Sequence, residues 1–352
     1  MTSIWDTYPT TYREAEIARL LTALNGGESA AVIGLSGSGK SNLMGFLAHR
    51  VADGPRKILI DCNRLAGRDG GSLLRLMTAG LDPLAEADAS LPALENQLRN
   101  ILRSPDDKLC FLIDRFEALE DQVYTVGQNL RALRDAYKYQ LVYVIASRRP
   151  VPDDSELSEL LFANQLWLGP LSREDAQWSA RQFAKRRHLD WDETALNQLV
   201  EISGKYPSFL RAACEACASG VTLELPELLS HPVVERRLAE FWSDAPTPEQ
   251  ISASQLAGHP WLTATAPLQI SAAELTSKEQ ALLDYLRTHA NQVCEKNDLI
   301  AAVWPEDQIY GDGLRDESLA QLVRRLRLKI EPDPAAPRYV QTVPGRGYIF
   351  AS

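Results

Sequence analysis

The sequence predicts an α/β fold with a parallel sheet and a helical lid, followed by a small α+β domain. Three observations support this prediction. Short apolar runs alternate with helical stretches in the first half of the chain, which is typical of a parallel sheet covered by helices on both faces. A glycine-rich loop joins the first of these runs to a helix. Near the end of the chain, three helical patterns precede two short runs that flank a glycine turn.

The same patterns predict the domain organisation. We expect a core domain at 1–170, a helical lid at 171–245, a connector at 246–270 and a C-terminal domain at 271–352. Prolines and small polar residues concentrate in the connector, and Trp261 and Leu262 are expected to pin it against a neighbouring domain.

The composition is that of an ordinary globular protein. The chain has 352 residues, of which 45% are hydrophobic and 24% charged, and this length allows two or three domains. The longest apolar run, 109–113, is far too short to cross a membrane, and the first residues do not resemble a secretory signal. Five cysteines, an odd number, do not suggest a disulfide framework. We therefore expect a cytoplasmic protein without a membrane partner.

The strongest motif is GLSGSGKS at 34–41, which follows an apolar run at 30–34 and precedes a helix expected at 42–51. Glycines at these spacings let backbone N–H groups converge on phosphate oxygens at a helix N-terminus. The lysine of such a loop reaches the β- and γ-phosphates, and the hydroxyl after it ligates Mg²⁺. The motif predicts a P-loop that binds ATP or ADP with Mg²⁺ through Gly34, Ser36, Gly37, Ser38, Gly39, Lys40, Ser41 and Asn42.

A second apolar run, at 109–113, ends in Asp114, the acidic residue expected to share the Mg²⁺ with Ser41. The next residue is Arg115, where many hydrolysing enzymes of this kind have a glutamate. Glu117 is a candidate to polarise the attacking water, and a solvated glutamate at a helix start is the alternative. We expect nucleotide binding, with ATP hydrolysis slow enough to serve a switch.

A further strand at 141–145 runs into Ser147 and Arg148. A polar residue followed by arginine at such a strand end is able to sense the γ-phosphate. A surface arginine without this role is the alternative, and it fits Arg149 better than Arg148. An apolar run at 57–61 supplies another strand. The candidate catalytic residues are Lys40, Asp114, Glu117 and Arg148.

Together with YRE at 12–14, LSREDA at 171–176 and GKYP at 204–207, these motifs resemble the STAND branch of the AAA+-like P-loop ATPases. The resemblance covers 12–218 and extends more distantly to the Orc/Cdc6-type initiators. It implies that the turn at 204–207 closes over the base, with Arg13 and Pro207 at the nucleotide. It also implies that ADP holds a closed state and that ATP permits opening or self-association. The sequence shows none of the long repeat arrays of many STAND proteins, so the signal stays open.

Between 172 and 245, apolar residues recur at helical spacing. A CxxC pair in this stretch, Cys214 and Cys217, lacks the second ligand pair of a zinc site and the preceding strand of a redox motif. We interpret both as buried helix cysteines. The five histidines show no metal-ligand spacing.

The C-terminal pattern consists of three helices and a hairpin. After a first helix, a second is expected at 295–303, and an acidic loop at 306–316 leads to the third. The third helix, around 318–329, has an apolar stripe with a polar face opposite it. Two short runs, 339–343 and 348–350, flank a PGRG turn and predict a wing.

The charge of the chain is unevenly distributed. Its net charge is −10, so any DNA binding depends on a local patch. Residues 271–323 include four basic and ten acidic side chains, whereas 324–352 include six basic and two acidic ones. The positive end therefore coincides with the third helix and the wing.

From 275 to 350 the chain resembles the winged-helix domain of OmpR/PhoB-type regulators. The matching pieces include LTSKE at 275–279, RLR at 325–327, EPD at 331–333 and YVQTVPGRGY at 339–348. The resemblance implies that the third helix enters the major groove of double-stranded DNA and that the wing lies near the minor groove. The candidate DNA contacts are Ser318, Gln321, Arg324, Arg325, Lys329 and Arg346.

One departure leaves a second interpretation open. Glu317 stands where this family often has a basic residue, and Asp312 and Asp316 nearby would also repel phosphate. The motifs together predict an ATP-binding transcription regulator whose nucleotide state controls self-association and DNA affinity. The alternative is a P-loop ATPase of a conflict-response, DNA-mobility or replication-initiator-like complex, whose winged helix docks a protein partner.

Overall fold

The computed structural model describes residues 3–82, 90–266, 275–304, 312–331, 334–335 and 337–351. The chain divides into two compact units, 1–265 and 266–352, which are described separately. Within the described ranges, no helix combines the length and the apolar character needed to cross a membrane.

The first unit is built on a five-stranded parallel sheet. Its strands are β1 (Ala30–Ile33), β2 (Arg56–Asp61), β3 (Leu109–Asp114), β4 (Leu141–Ser147) and β5 (Gln165–Trp167), in the spatial order β2-β3-β4-β1-β5. β3 and β4 are buried along their whole length, which explains their unbroken apolar runs. The edge strand β5 was not predicted from the sequence, because three residues are too few to show a period.

The register of the sheet brings the polar strand ends to one edge. Ile33 of β1 pairs with Ser147 of β4, and Asp61 of β2 pairs with Asp114 of β3. The phosphate loop follows β1 at this same edge. Open α/β sheets bind ligands in the crevice at the carboxyl ends of their strands, so the fold positions a site here.

Helices cover both faces of the sheet and bury two apolar clusters. The core helices are α1 (Glu14–Asn25), α2 (Lys40–His49), α3 (Gly70–Leu81), α4 (Leu91–Ile101), α5 (Val123–Ala136) and α6 (Glu156–Leu161). α3 to α6 contribute to one cluster, whereas α1 and α2 contribute to the other. This arrangement confirms the predicted parallel α/β fold.

The helices after β5 form the lid and share a core with α1 and α2. They are α7 (Arg173–Arg187), α8 (Glu193–Ile202), α9 (Pro207–Ala218), α10 (Leu225–Leu229), α11 (Pro232–Ser243), α12 (Pro248–Ala253) and α13 (Pro260–Thr265). The expected connector, 246–270, contains α12 and α13, and Trp261 and Leu262 are buried in the first unit; its residues 267–270 lie outside the described ranges. Cys214 is buried in α9 and Cys217 half-buried, both as free thiols.

The second unit is a small α+β domain with a three-stranded antiparallel sheet. Its elements are α14 (Ser277–Thr288), β6 (Val293–Glu295), α15 (Lys296–Val303), α16 (Asp312–Ile330), β7 (Val340–Val343) and β8 (Gly347–Phe350), and the strands follow the order β6-β8-β7. The predicted stripe of α16 is buried: Leu319, Leu322, Val323, Leu326 and Ile330.

Two details of the second unit differ from the prediction. The strand β6, which has three residues, was not predicted from the sequence. α16 already begins at Asp312, inside the stretch expected to be an acidic loop, and residues 305–311 of that loop lie outside the described ranges. The three helices and the β7–β8 hairpin confirm the predicted small α+β domain.

Candidate functional site

β1 and α2 position the phosphate loop. α2 begins at Lys40, and Gly37 and Gly39 lead into it with φ values of 81° and 90°, in the left-handed region. Lys40 Nζ donates to the carbonyl oxygens of Gly34 at 2.5 Å and Leu35 at 3.3 Å. The loop therefore encloses a buried cation at a helix N-terminus, an arrangement that favours a phosphate anion.

Burial, more than the neighbouring charges, determines the pKa of Lys40. Burial lowers the pKa of Lys40 to about 8, while the carboxylates of Glu117 and Asp114 act in the opposite direction. A phosphate group beside Lys40 would stabilise its charged form and raise its pKa, so the buried lysine favours the binding of a polyanion.

Asp114 ends β3 beside the phosphate loop. It is buried and hydrogen-bonded with Ser41, and burial raises the pKa of its carboxyl group. Among the described residues, its Oδ1 has no hydrogen-bond partner. A carboxylate oxygen with spare capacity next to a hydroxyl provides the hard oxygen ligands that Mg²⁺ prefers. Ser41 and Asp114 thus fit a Mg²⁺ ion.

Arg148 follows β4 and is held by two carboxylates. Its Nε lies 3.1 Å from Glu117 Oε1, and its Nη1 lies 2.6 Å from Asp244 Oδ1. Arg149 adds a hydrogen bond of 2.9 Å to the carbonyl oxygen of Asp244. Because Asp244 directly follows α11, these contacts tie the end of β4 to the lid.

A cavity of about 480 Å³ lies where the phosphate loop, the strand ends and the lid meet. Five of its lining side chains are basic and one, Glu117, is acidic, so the cavity suits a polyanion. The loop contributes Ser36, Gly37, Gly39, Lys40, Ser41 and Asn42. The strand ends contribute Arg115, Glu117 and Arg148, and the lid contributes Pro207, Ser208, Arg211 and Arg237.

The lid rests directly on the phosphate loop. The Ser208 N–H donates to the Gly37 carbonyl oxygen at 3.1 Å, and the Tyr206 hydroxyl donates to the Ser36 carbonyl oxygen at 2.8 Å. A Cβ at position 37 would lie 2.1 Å from Ser208 Oγ. Glycine is therefore required at position 37 both by its positive φ and by the closeness of the lid.

Arg13, Gly34 and Ser38 are not among the residues that line the cavity. Arg13 is buried, and its Nη2 donates to the carbonyl oxygens of Ser38 at 3.0 Å and Gly169 at 3.1 Å. Its backbone N–H donates to Asp175 at 2.9 Å. Arg13 thus supports the backbone of the loop, and its direct contact with a nucleotide stays a prediction.

Arg211, Arg237 and Asp244 were not predicted from the sequence as site residues. Arg211 lies about one helical turn after Pro207 on α9, and this spacing was the only local signal. Arg237 and Asp244 reach the site through the packing of α11. Arg148 and Asp244 are 96 residues apart in the sequence, so no local pattern relates them.

In the second unit, the predicted DNA contacts lie on the exposed face of α16 and on the wing. All six side chains are exposed: Ser318, Gln321, Arg324, Arg325, Lys329 and Arg346. Some also contact acidic groups of the domain. Lys329 Nζ lies 2.6 Å from the buried Glu279, and Arg346 Nη2 lies 4.0 Å from Glu295.

Glu331 fixes the wing to the end of α16. Its carboxylate accepts backbone N–H bonds from Arg338 at 2.7 Å, Tyr339 at 3.0 Å and Val340 at 2.7 Å. Arg327 adds a bond of 2.8 Å to the Val340 carbonyl oxygen. The helix face and the wing are therefore held in a fixed relation.

The phosphate loop, the parallel sheet and the lid define a P-loop nucleoside triphosphatase, and the second unit is a winged helix. The chain belongs to the family described as novel STAND NTPase 1, whose model matches residues 11–244. A second family model, described as transcriptional regulatory protein, C terminal, matches residues 271–350. These matches confirm the resemblances to STAND ATPases and to OmpR/PhoB-type winged helices.

PetR of Rhodobacter capsulatus is 38% identical to the chain over 78 residues, which cover 22% of this chain and 33% of PetR. The chain thus spans a third of the length of this curated relative. A solved Walker-type ATPase of Pyrococcus abyssi aligns over 99% of this chain and 97% of its own, with 15% identity and a TM-score of 0.46. The Orc1 protein of Aeropyrum pernix in complex with DNA aligns over 90% of this chain and 83% of its own, with 12% identity and a TM-score of 0.42.

Proposed function

We propose that this protein is an ATP-binding switch that acts on double-stranded DNA in the cytoplasm, as a transcription regulator. Its ATP or ADP state would control self-association and DNA affinity. The shared cavity carries this proposal, because the phosphate loop and the lid line it together. A nucleotide bound there would contact both parts at once, and a change in its phosphates would change how they fit.

The chemistry of the cavity supports a nucleoside triphosphate. Lys40 and the loop N–H groups would hold the phosphates, and Arg211 and Arg237 would approach them from the lid. Mg²⁺, held by Ser41 and Asp114, would neutralise phosphate charge when bound. Arg148 is the candidate that distinguishes ATP from ADP, since its guanidinium is shared between the core and the lid.

Slow ATP hydrolysis fits the side chains of this site. Glu117 is the candidate to orient the attacking water. Its Oε1 is engaged by Arg148, and its Oε2 is buried without a hydrogen-bond partner among the described residues. Arg115, 3.7 Å from Asp114, stands where many hydrolysing enzymes of this kind have a glutamate.

The exposed face of α16 and the wing support DNA binding, together with the similarity of this domain to the C-terminal part of transcriptional regulatory proteins. A single winged helix with few phosphate contacts binds DNA weakly. Two linked copies on adjacent half-sites would bind far more tightly through effective concentration. This is why we include nucleotide-dependent self-association in the proposal.

A protein-docking winged helix is the second candidate. Glu317 is exposed on α16, and Lys329 is engaged by Glu279. The chain would then be the ATPase of a conflict-response, DNA-mobility or replication-initiator-like complex.

Charge reversal on α16 separates the two candidates. The variant Arg324→Glu, Arg325→Glu is compared with wild type in fluorescence anisotropy against a pool of promoter-sized duplexes at several salt concentrations. We expect at least about a tenfold loss of affinity. The slope of log affinity against log salt concentration should also decrease in magnitude by about two, one for each phosphate contact removed. The control is Arg236→Glu, because Arg236 is 81% exposed on α11, in the first unit.

The control should bind DNA as wild type does. DNA binding that survives the double reversal unchanged would contradict the assignment of α16 to DNA. Wild-type protein that binds no duplex even at about 50 mM salt would contradict the DNA proposal and favour a protein partner.

A further inference from the structure

The turn that covers the phosphate loop has a second attachment on its other side. We call residues 203–208 the cover turn; Tyr206 and Ser208 bond to the phosphate loop as described above. The Ser203 carbonyl oxygen accepts the Tyr206 N–H at 3.2 Å and also the Nε2–H of His259 at 3.0 Å. His259 and Tyr206 therefore bond to the same carbonyl oxygen, and Tyr206 in turn bonds to Ser36 of the phosphate loop.

The other ring nitrogen of His259 is also engaged. Its Nδ1 accepts the N–H of Trp261 at 3.2 Å, so one neutral tautomer, with the proton on Nε2, satisfies both bonds. Burial lowers the pKa of His259, which keeps the ring neutral. His259 therefore bridges the cover turn and the first turn of α13 in one fixed orientation.

The residues around this bridge are closely packed. Gly204 has a φ of +56°, and a Cβ there would lie 2.4 Å from His259 Nε2. Trp261 is fully buried, and its ring stacks on Phe209 of α9 with centroids 5.2 Å apart. A displacement of the cover turn must therefore be passed to α13 or break the bridge.

The position of α13 in the chain gives this bridge a use. α13 ends at Thr265, and the second unit begins at Ala266. α13 is therefore the last helix of the first unit before the chain continues into the second unit.

We propose that His259 is a positioning residue that couples the cover turn to α13. A nucleotide bound under the turn would then alter α13, the helix from which the chain continues into the winged-helix unit. This inference rests on the proposed function in one respect, namely that the cavity binds a nucleotide. It does not depend on DNA being the partner of the winged helix.

Two substitutions of His259 separate coupling from stability. His259→Gln keeps a side-chain N–H near the position of Nε2 and so keeps the bond to the Ser203 carbonyl. His259→Asn is too short to reach that carbonyl, but it keeps an oxygen for the Trp261 N–H and is a good residue before a helix start. Gly204→Ala disturbs the same contact from the other side and leaves His259 in place.

The readout is amide hydrogen exchange of the full chain at 260–265, with and without ATP and Mg²⁺. Binding of N-methylanthraniloyl-ATP is measured in parallel. We expect ATP to change exchange at 260–265 in wild type and His259→Gln, and to leave it unchanged in His259→Asn and Gly204→Ala. Nucleotide affinity in the last two should fall about threefold to tenfold, as for the loss of one hydrogen bond. Gly220→Ala is the control, because its φ of +88° is also positive but nothing lies within 4 Å of the added Cβ.

The outcomes are distinguishable. A nucleotide-induced change in His259→Asn equal to that in wild type would overturn the inference, as would a wild type that binds nucleotide without any change at 260–265. If His259→Asn fails to fold, Gly204→Ala against Gly220→Ala decides the matter. A wild type whose α13 responds to ATP while its DNA affinity does not would support the coupling and contradict the proposed DNA switch. A wild type that binds no nucleotide would overturn both.

Discussion

A substitution of Asp244 tests most simply whether the contact between the lid and Arg148 affects nucleotide binding. Its carboxylate pairs with Arg148 Nη1 at 2.6 Å. If Arg148 contacts the γ-phosphate as proposed, this ion pair would oppose the binding of ATP but not of ADP. Asp244→Asn removes the charge while it keeps the shape of the side chain. We expect this variant to prefer ATP over ADP more strongly than wild type does.

The magnitude follows from the geometry. A hydrogen bond of this length between charged groups contributes about 1.5–3 kcal/mol when it is buried. The Asp244 side chain is 10% exposed but that of Arg148 is 44% exposed, so solvent screening lowers the figure to about 1–2 kcal/mol. The ratio of ATP to ADP affinity should therefore rise about fivefold to thirtyfold.

The assay is competition of ATP and of ADP against a fluorescent ADP analogue, at fixed Mg²⁺ and pH. Glu193→Gln is the matched control, because it removes an exposed lid ion pair with Arg181 at 2.7 Å. The control should leave the ratio unchanged. Equal shifts of ATP and ADP affinity in Asp244→Asn, or a lower ratio, would refute the idea that Asp244 and the γ-phosphate compete for Arg148.

Three further predictions concern the loop and the wing. Because burial lowers the pKa of Lys40 to about 8 from 10.5, the folded protein loses this proton at a lower pH than the unfolded chain does, and the stability of wild type should rise between pH 8 and 10.5. In urea unfolding, the free energy by which Lys40→Met exceeds wild type in stability should therefore shrink over this range, by at most ~1.4 kcal/mol per pH unit. An excess that stays constant with pH would contradict this. Gly37→Ala should abolish binding of fluorescent ADP because of the overlap with Ser208, whereas Gly220→Ala, with similar φ and open space, should bind normally; equal binding by both variants would show that the overlap has no effect. Glu331→Gln should accelerate amide exchange at 338–340 about tenfold to a hundredfold, since three N–H groups lose a charged acceptor, and wild-type exchange rates would argue against that role of the carboxylate.

Local patterns were sufficient for most of the fold. The apolar runs that became β3 and β4 are buried on both faces, so they lack polar interruptions and are recognisable without structural information. The stripe of α16 is equally clear because one face of the helix packs on a core. β5 and β6 have three residues each, and only their pairing with longer strands makes them strands.

The candidate site was predictable on its core side and not on its lid side. The phosphate loop is contiguous, so its residue types and spacing predict its backbone shape. Arg237 and Asp244, in contrast, come to the cavity through the packing of α11, and nothing in their local sequence marks them. For Arg13, the sequence motif before α1 correctly indicated a residue close to the phosphate loop. The motif did not show that its side chain donates to the carbonyl oxygens of Ser38 and Gly169.

The central claim is that the nucleotide in the first unit sets the DNA affinity of the second. The most direct test is fluorescence anisotropy of the full chain on promoter-sized duplexes with ATP, with ADP and with the Lys40→Ala variant, at two salt concentrations. We expect tighter, salt-sensitive binding with ATP than with ADP, and no difference between the nucleotides in Lys40→Ala. Equal affinity with ATP and ADP in wild type, or an ATP effect that persists in Lys40→Ala, would contradict it.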